Sequence, residues 1–147
     1  SEISAAFALV QYKKLALNIQ ARQDNFRIHY EFLSQYDQFF DLPFQNPDSE
    51  TAWLAFPMIV KDNAPFSRTE LQIFLENRNI QTRVVFTGNI LRQPGYKGIK
   101  CIGKADDFIN ADRVMIGGIL LALHHGLTGE MMDHIHVSIS LFLEQYK

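Results

Sequence analysis

The sequence predicts an α/β fold of the α+β kind, in which a small sheet packs against helices and a long helix comes first. Apolar residues recur at three- and four-residue steps from residue 2 to residue 36, a period typical of an amphipathic helix. Beyond it, short β-branched and aromatic runs alternate with helical patterns. No internal repeat or linker-like run divides the 147 residues. We therefore expect one body of two packed layers.

The first helix is predicted from Glu2 to about Tyr36. Its apolar positions are Ile3, Ala6, Phe7, Val10, Leu17, Phe26, Tyr30 and Leu33. At about 1.5 Å per residue the helix measures roughly 50 Å, more than a domain of this size covers along its whole length. We therefore expect one end of the helix to pack on something absent from this chain or on a partner chain.

The next elements are a loop, a strand and a helix. Residues 42–49 contain two prolines and three other turn formers, which predicts a loop. Residues 53–60 are predicted to be a strand, and Pro57 places this strand at a sheet edge or marks a bulge. The serine and glutamate of residues 67–70 have capping-box spacing, which predicts a helix to about Asn77. Its predicted buried face is Leu71, Phe74 and Leu75.

The second half of the chain predicts two more strands and two more helices. They are a strand at 81–86, turns at 87–89 and 92–96, a helix at 105–114, a covered apolar strand at 119–123 and a last helix from 129 to about 145. Thr128 is predicted to cap the last helix. The buried stripe of that helix is predicted to be Met132, Ile135, Ile139 and Phe142.

The composition argues against several kinds of binding partner and favours a cytoplasmic location. The formal net charge is −2, from 14 Lys+Arg and 16 Asp+Glu, which argues against binding to nucleic acid or to an anionic membrane. No run approaches the roughly 18 apolar residues that cross a bilayer. The single cysteine, Cys101, forms no disulfide within the chain and no multi-cysteine metal or iron–sulfur site. We expect Cys101 to be semi-buried and the protein to be cytoplasmic.

Four of the five histidines lie close together in sequence, at positions 124, 125, 134 and 136. This grouping suggests zinc, but His134 and His136 are two residues apart on a predicted helix and point about 200° away from each other. The zinc-hydrolase spacing His-Glu-x-x-His is absent from the sequence. We therefore expect no metal site, and histidines that are solvated or hydrogen-bonded.

Polar side chains cluster between residues 83 and 96, around two glycines and a proline. They are Arg83, Thr87, Asn89, Arg92 and Gln93. Arginines bind phosphate through paired donors, and an irregular glycine-containing backbone approaches a polar ligand closely. The segment is therefore either an anion or sugar site or a solvated hairpin with a surface salt bridge. No nucleophile–base pair, Walker loop or dinucleotide fingerprint occurs, so we expect no catalytic residue in this chain.

Several motifs resemble those of a known enzyme family. They are Glu2–Gln11, Trp53–Pro57, Thr82–Asn89, Arg92–Pro94, Ala111–Met115 and His125–Thr128. In this order they resemble the DegT/StrS family of pyridoxal-phosphate-dependent sugar aminotransferases of fold type I. Within the family they look most like the sugar-nucleotide 3-dehydrases, which act on a CDP- or GDP-4-keto-6-deoxyhexose. The run from Thr82 to Pro94 is the most specific of these motifs.

The resemblance implies the C-terminal domain of a roughly three-times-larger cytoplasmic enzyme of deoxysugar biosynthesis, a homodimer when complete. Residues 1–40 would then be a long helix that connects to a missing large domain, and residues 41–147 a small C-terminal α/β domain. The substrate of the enzyme is expected to be a sugar nucleotide. The pyridoxal or pyridoxamine phosphate and the catalytic base, a lysine or a histidine, are expected upstream of Ser1, so this chain should bind no cofactor alone. Use of an iron–sulfur cluster stays open. The alternatives are a sugar-nucleotide aminotransferase and a non-catalytic ligand- or protein-binding module.

The resemblance also implies roles for five residues. Phe86, Asn89 and Arg92 would line the sugar-nucleotide side of the site, and Arg83 and Arg113 would offer positive charge to phosphate groups. For Arg113 the alternative is an ion pair with one of two nearby aspartates, Asp106 and Asp112. Because positions 89 and 92 are predicted to lie on a turn, we expect alanine at either of them to leave the fold nearly intact.

Overall fold

The computed structural model describes residues 1–146. Their helices are α1 (Glu2–Leu33), α2 (Arg68–Glu76), α3 (Ile109–Gly117) and α4 (Gly129–Leu143), and their strands are β1 (Phe40–Asp41), β2 (Ala55–Val60), β3 (Arg83–Val84) and β4 (Gly118–Ala122). The predicted class, a small sheet against helices after a long first helix, is confirmed. Strand β1 was not predicted, because two residues are too few to show an alternating pattern.

The sheet is antiparallel throughout, with the strand order β1-β2-β4-β3. Strand β2 lies inside it and pairs with β4 from Ala55 to Ile59 without a bulge. The predicted bulge is absent and β2 as a whole is not an edge strand, but Pro57 itself lies at a local edge. The proline is tolerated because β1 pairs only with Ile59 and Val60, so the strand has no partner on that side at Pro57.

The core lies between one face of the sheet and helices α1, α2 and α4. Alternate residues of β2 are buried, as expected for a strand with one covered face. The buried side chains include Phe56, Met58, Val60, Leu71, Leu75, Ile119, Leu121, Ile135, Ile139 and Phe142. The predicted starts of α2 and α4 are confirmed. Ser67 forms a complete capping box at the start of α2, and the Met131 amide donates to Thr128 at the start of α4. Phe74, expected to be buried, is only half-buried.

Helix α1 packs on the rest of the protein only through its C-terminal part. Phe26, His29 and Leu33 are buried, whereas every residue from 1 to 17 is exposed. The uncovered end carries apolar side chains, and Ile3 is 84% exposed. The proposed division of the chain at residue 40 stays a prediction. None of the helices described is long and apolar enough to span a membrane.

Candidate ligand-binding loop between β3 and α3

Residues 85–108 connect β3 to α3, and we call them the β3–α3 loop. Its first turn has two residues in the left-handed region, Phe86 at φ 48° and Gly88 at φ 61°. Glycine 88 also lies so close to Met115 of α3 that a Cβ atom there would overlap the Met115 side chain. Glycine is the residue that adopts a positive φ without strain and has no Cβ atom to overlap Met115. The predicted turn is confirmed, and it packs directly on α3.

Asn89 lies inside the loop and is only 2% exposed. Its Nδ2 donates to the Ala105 carbonyl oxygen at 2.9 Å and to Asp112 Oδ1 at 2.8 Å, and its Oδ1 accepts from the Leu91 amide at 3.1 Å. Loss of this side chain would leave buried polar groups without partners. The expectation that position 89 tolerates alanine because it lies on an open turn is therefore wrong.

The Arg92 guanidinium is held by two carboxylates. Its Nε donates to Asp112 Oδ1 at 2.6 Å and its Nη2 to Asp112 Oδ2 at 2.7 Å, and Nη2 also donates to Asp106 Oδ1 at 2.8 Å. These bonds raise the pKa of Arg92 above its usual value. The hydrogen bonds from Arg92, helped by the Asn89 amide, lower the pKa of Asp112. The positive charge of Arg92 is therefore neutralised within the chain.

Arg113 forms a different ion pair from the one predicted. Its Nη2 donates to Asp41 Oδ2 of β1 at 2.6 Å, and its Nε lies 3.9 Å from Asp62 Oδ2. The predicted pairing with Asp112 or Asp106 is wrong, because successive residues of a helix point about 100° apart. Asp112 meets the β3–α3 loop, whereas its neighbour Arg113 meets β1.

Two of the predicted residues, Arg83 and Phe86, are exposed and take part in no ion pair among residues 1–146. Phe86 is 88% exposed. Arg83 lines a groove of about 440 Å³. The start of β3 is anchored to α2, since the Thr82 amide and hydroxyl donate to Glu76 Oε1 at 2.7 and 2.9 Å. These bonds lower the pKa of Glu76. The groove that Arg83 lines also contains Glu76, whose carboxylate interacts electrostatically with Arg83.

Four of the five histidines make side-chain hydrogen bonds within the described residues, and His125 is exposed. His29, which the sequence did not single out, is fully buried, and its Nε2 donates to the Ala122 carbonyl oxygen at 3.0 Å. Its Nδ1 therefore accepts from His136 Nε2, also at 3.0 Å. Burial lowers the pKa of His29 to about 4 and also lowers that of His136. The burial of His29 could have been predicted from its spacing, because Phe26, His29 and Leu33 lie on one face of the helix.

Neither a metal cluster nor a buried thiol forms part of the loop. In the part of the chain that the structure describes, no three His, Cys, Asp or Glu side chains come together as metal ligands. Cys101 is exposed, and the expectation that it is semi-buried is wrong. It lies on the outer part of the β3–α3 loop, where residues 94–104 are all exposed.

The chain is similar to proteins of one enzyme family. The profile of the DegT/DnrJ/EryC1/StrS aminotransferase family matches residues 1–140. The dTDP-4-dehydro-2,6-dideoxy-D-glucose 3-dehydratase of Saccharopolyspora spinosa is 34% identical over 97% of the chain and 30% of that protein. The lipopolysaccharide biosynthesis protein RfbH of Salmonella typhimurium is 30% identical over 92% of the chain and 31% of that protein. The chain thus spans about 30% of the length of these relatives.

A solved structure shares the fold. The Escherichia coli GDP-4-keto-6-deoxy-D-mannose-3-dehydratase with bound hydrated pyridoxal phosphate superimposes with a TM-score of 0.79 at 23% identity. The match covers 93% of this chain and 34% of the E. coli chain.

The groove along α1 does not fit pyridoxal phosphate held as a Schiff base. This groove of about 570 Å³ runs between α1 and residues 44–53, and no lysine lines it, although a Schiff base needs a lysine amine. Its walls include the aromatic side chains Phe26, Tyr30, Phe44 and Trp53. Lys61, beside a smaller groove, lies 3.5 Å from the Asp41 carboxylate. None of the five predicted site residues lines the aromatic groove.

Proposed function

The chain belongs to the DegT/DnrJ/EryC1/StrS aminotransferase family, and on this premise we propose that it is the C-terminal domain of a larger sugar-nucleotide 3-dehydratase. The proposed substrate is a nucleotide-linked 4-keto-6-deoxyhexose, and the proposed pathway is deoxysugar biosynthesis. The observation that carries the proposal is the 34% identity to a 3-dehydratase along 97% of the chain, which includes the whole β3–α3 loop. The alternative is a sugar-nucleotide aminotransferase, which the description of the family favours.

The geometry of the loop supports a division of labour among the five predicted residues. Arg83 offers an exposed guanidinium for a phosphate of the nucleotide, since arginine binds phosphate with paired donors. Phe86 offers an exposed ring to the sugar or the base. The other three predicted residues, Asn89, Arg92 and Arg113, make hydrogen bonds or ion pairs inside the chain.

We place the cofactor and the catalytic base on the part of the enzyme outside this chain. Pyridoxal or pyridoxamine phosphate supplies the electron sink for such eliminations when it is bound. The contribution of this domain is then to bind and orient the sugar nucleotide. The single exposed Cys101 holds no iron–sulfur cluster by itself and suits a cytoplasmic enzyme.

We expect the complete enzyme, loaded with cofactor, to convert a nucleotide-linked 4-keto-6-deoxyhexose into a product that lacks the 3-hydroxyl. Product analysis by mass spectrometry and NMR checks this result. A 4-amino product that keeps the 3-hydroxyl would establish the aminotransferase alternative. The 147-residue chain alone should form no stoichiometric imine band with pyridoxal phosphate that is lost on replacing one lysine, because no lysine lines the groove along α1.

In the same assay, replacing Arg83 with alanine should lower kcat/KM by roughly one to two decades, as expected when a charge-assisted hydrogen bond worth about 1.5–3 kcal/mol is lost. Replacing Arg27, an exposed arginine paired with Asp24 on α1, is the matched control and should leave kcat/KM unchanged. Equal kinetics for both variants would remove Arg83 from the site.

We also propose that the enzyme is a homodimer and that the exposed end of α1 packs on a protein surface. Ile3, Phe7 and Val10 lie on one helical face and are 84%, 68% and 50% exposed. An uncovered apolar face of this kind drives association. We therefore expect sedimentation of the 147-residue chain to show dimers or larger species.

Replacing Phe7 with glutamate should shift the sedimenting species toward monomer, because it places a charge in the middle of the apolar face. Replacing Ala5, which is exposed on α1 and points about 200° away from Phe7, with glutamate should change nothing. A wild-type chain that sediments only as a monomer would contradict the expectation.

A further inference from the structure

We propose that Asp112 is a positioning residue for the sugar nucleotide, and that Asn89 and Arg92 serve the site through Asp112 and do not touch the ligand. The inference rests on the proposed function, in which Arg83 and Phe86 meet the substrate. It assigns a role to a residue of α3 and changes the role expected for two residues of the loop.

Asp112 is the point at which the loop is attached to α3. Its Oδ1 accepts from Asn89 Nδ2 at 2.8 Å and from Arg92 Nε at 2.6 Å, and its Oδ2 accepts from Arg92 Nη2 at 2.7 Å. The Asp112 side chain is 18% exposed, against 85% for Asp106, the other carboxylate on Arg92. Bidentate arginine–carboxylate pairs fix orientation as well as adding energy. Asp112 therefore holds two loop residues in one geometry.

The loop residues that Asp112 holds are connected to Phe86 through the turn at Gly88, so they also influence where the exposed Phe86 ring lies. Gln93 Nε2 donates to the Thr87 carbonyl oxygen at 3.0 Å, which ties the segment after Asn89 to the segment before it. Phe86 and Gly88 are both held in the left-handed region, which is costly for a phenylalanine and persists only where the surroundings enforce it. The contacts that enforce it here are the packing of Gly88 on Met115 and the Asp112 network.

The same contacts argue against direct binding by Asn89 and Arg92. Asn89 is 2% exposed, and each of its side-chain polar atoms already has a partner. A phosphate that bound the inner face of the Arg92 guanidinium would displace Asp112 and leave its carboxylate, itself mostly buried, without a cation. Arg83 forms no ion pair among the described residues and interacts with Glu76 at longer range, where the Glu76 carboxylate already accepts from Thr82.

The test compares Asp112→Asn, Asp112→Ala and Arg92→Ala in the complete enzyme. Both Asp112 variants should raise KM for the sugar nucleotide by roughly tenfold or more, with kcat changed far less, because binding is lost while the distant chemistry is intact. The double variant Arg92→Ala with Asp112→Ala should be no worse than the poorer single variant, since the two residues act as one unit. Asp24→Asn, which breaks an exposed ion pair on α1, is the matched control and should keep the wild-type KM.

A merely structural role for Asp112 would lower the melting temperature and the active fraction, and therefore kcat, at an unchanged KM. That outcome would overturn the inference, as would a wild-type KM in both Asp112 variants. Additive effects of Arg92→Ala and Asp112→Ala would also overturn it, because they would show that Arg92 acts independently of Asp112.

Hydrogen exchange on the 147-residue chain separates this inference from the proposed function. The Leu91 amide donates to Asn89 Oδ1 and the Arg92 amide to the Asn89 carbonyl oxygen. In Asp112→Asn both amides should exchange faster, by tenfold or more, while those of strand β4 keep their wild-type rates. Unchanged loop exchange overturns the inference. A wild-type enzyme that does not act on sugar nucleotides overturns the proposed function, whatever the exchange result.

Discussion

Replacing Phe56 with alanine is expected to lower the free energy of unfolding by about 3–5 kcal/mol, the largest effect of any single truncation considered for this protein. Phe56 is 0% exposed and lies in β2 opposite Leu121 of β4. Its ring centroid is 5.2 Å from that of Phe26 and 5.3 Å from that of His29, both on α1. The truncation therefore opens a cavity where the sheet meets the packed end of the long helix.

Urea denaturation of the 147-residue chain, followed by circular dichroism, measures this loss as a lower midpoint at an unchanged slope. Phe44→Ala removes the same side chain from a position that is 81% exposed, and it should change stability by no more than about 0.5 kcal/mol. If the two variants were equally stable, Phe56 would not be part of the core that the structure shows.

Acidification is expected to destabilise the fold through His29. The ordinary histidine pKa of 6.5 applies to the unfolded chain, and burial lowers it to about 4 in the folded protein. A depressed folded-state pKa means that the stabilisation is complete above pH 6.5 and is lost as the pH falls toward 4. At about 1.4 kcal/mol per pKa unit, the loss from this residue is roughly 3 kcal/mol.

The groups around His29 support this direction. His136 faces it from α4 as a hydrogen-bond donor, the Ala122 carbonyl oxygen accepts its proton from β4, and Phe56 packs on it from β2. Asp133 raises the pKa of His136, but not enough to offset the burial of that ring. Among residues 1–146 no carboxylate acts on His29 to stabilise its charged form.

Denaturation curves between about pH 7 and pH 4 should show stability falling steadily in the wild type. His29→Gln should be less stable at neutral pH but should show a shallower dependence on pH, because the titrating group is gone. His125→Gln, which changes an exposed histidine, should follow the wild-type curve. Parallel curves for wild type and His29→Gln would show that another group controls the acid response.

Local sequence chemistry predicted the helices well. Ser67 and Thr128 begin α2 and α4 as predicted, because a capping side chain bonds to an amide only three residues away. The last-helix stripe of Met132, Ile135, Ile139 and Phe142 is fully buried, since its members recur at helical spacing. These features depend on neighbours in sequence, and the sequence contains all of them.

The sheet was less predictable, because its order is set by contacts between distant segments. Strand β1 has two residues and exists only because it pairs with the end of β2, about 20 residues further on. The place of Pro57 in an inner strand depends on that same pairing, which stops short of the proline. Strand propensity says which segments extend, but not which segments lie side by side.

The sequence by itself determined the fold class, the family resemblance and the segment that carries the candidate site. Only the tertiary structure decided what each charged residue of that segment does. Arg92 meets Asp112, 20 residues away, and Arg113 meets Asp41, 72 residues away. The energy of an ion pair depends on the distance between the two charges in space and not on their separation in sequence. The chain brings such partners together only when the whole sheet has formed. The sequence therefore showed a cluster of arginines and an asparagine, and the fold made Asn89 and Arg92 internal supports while leaving Arg83 exposed.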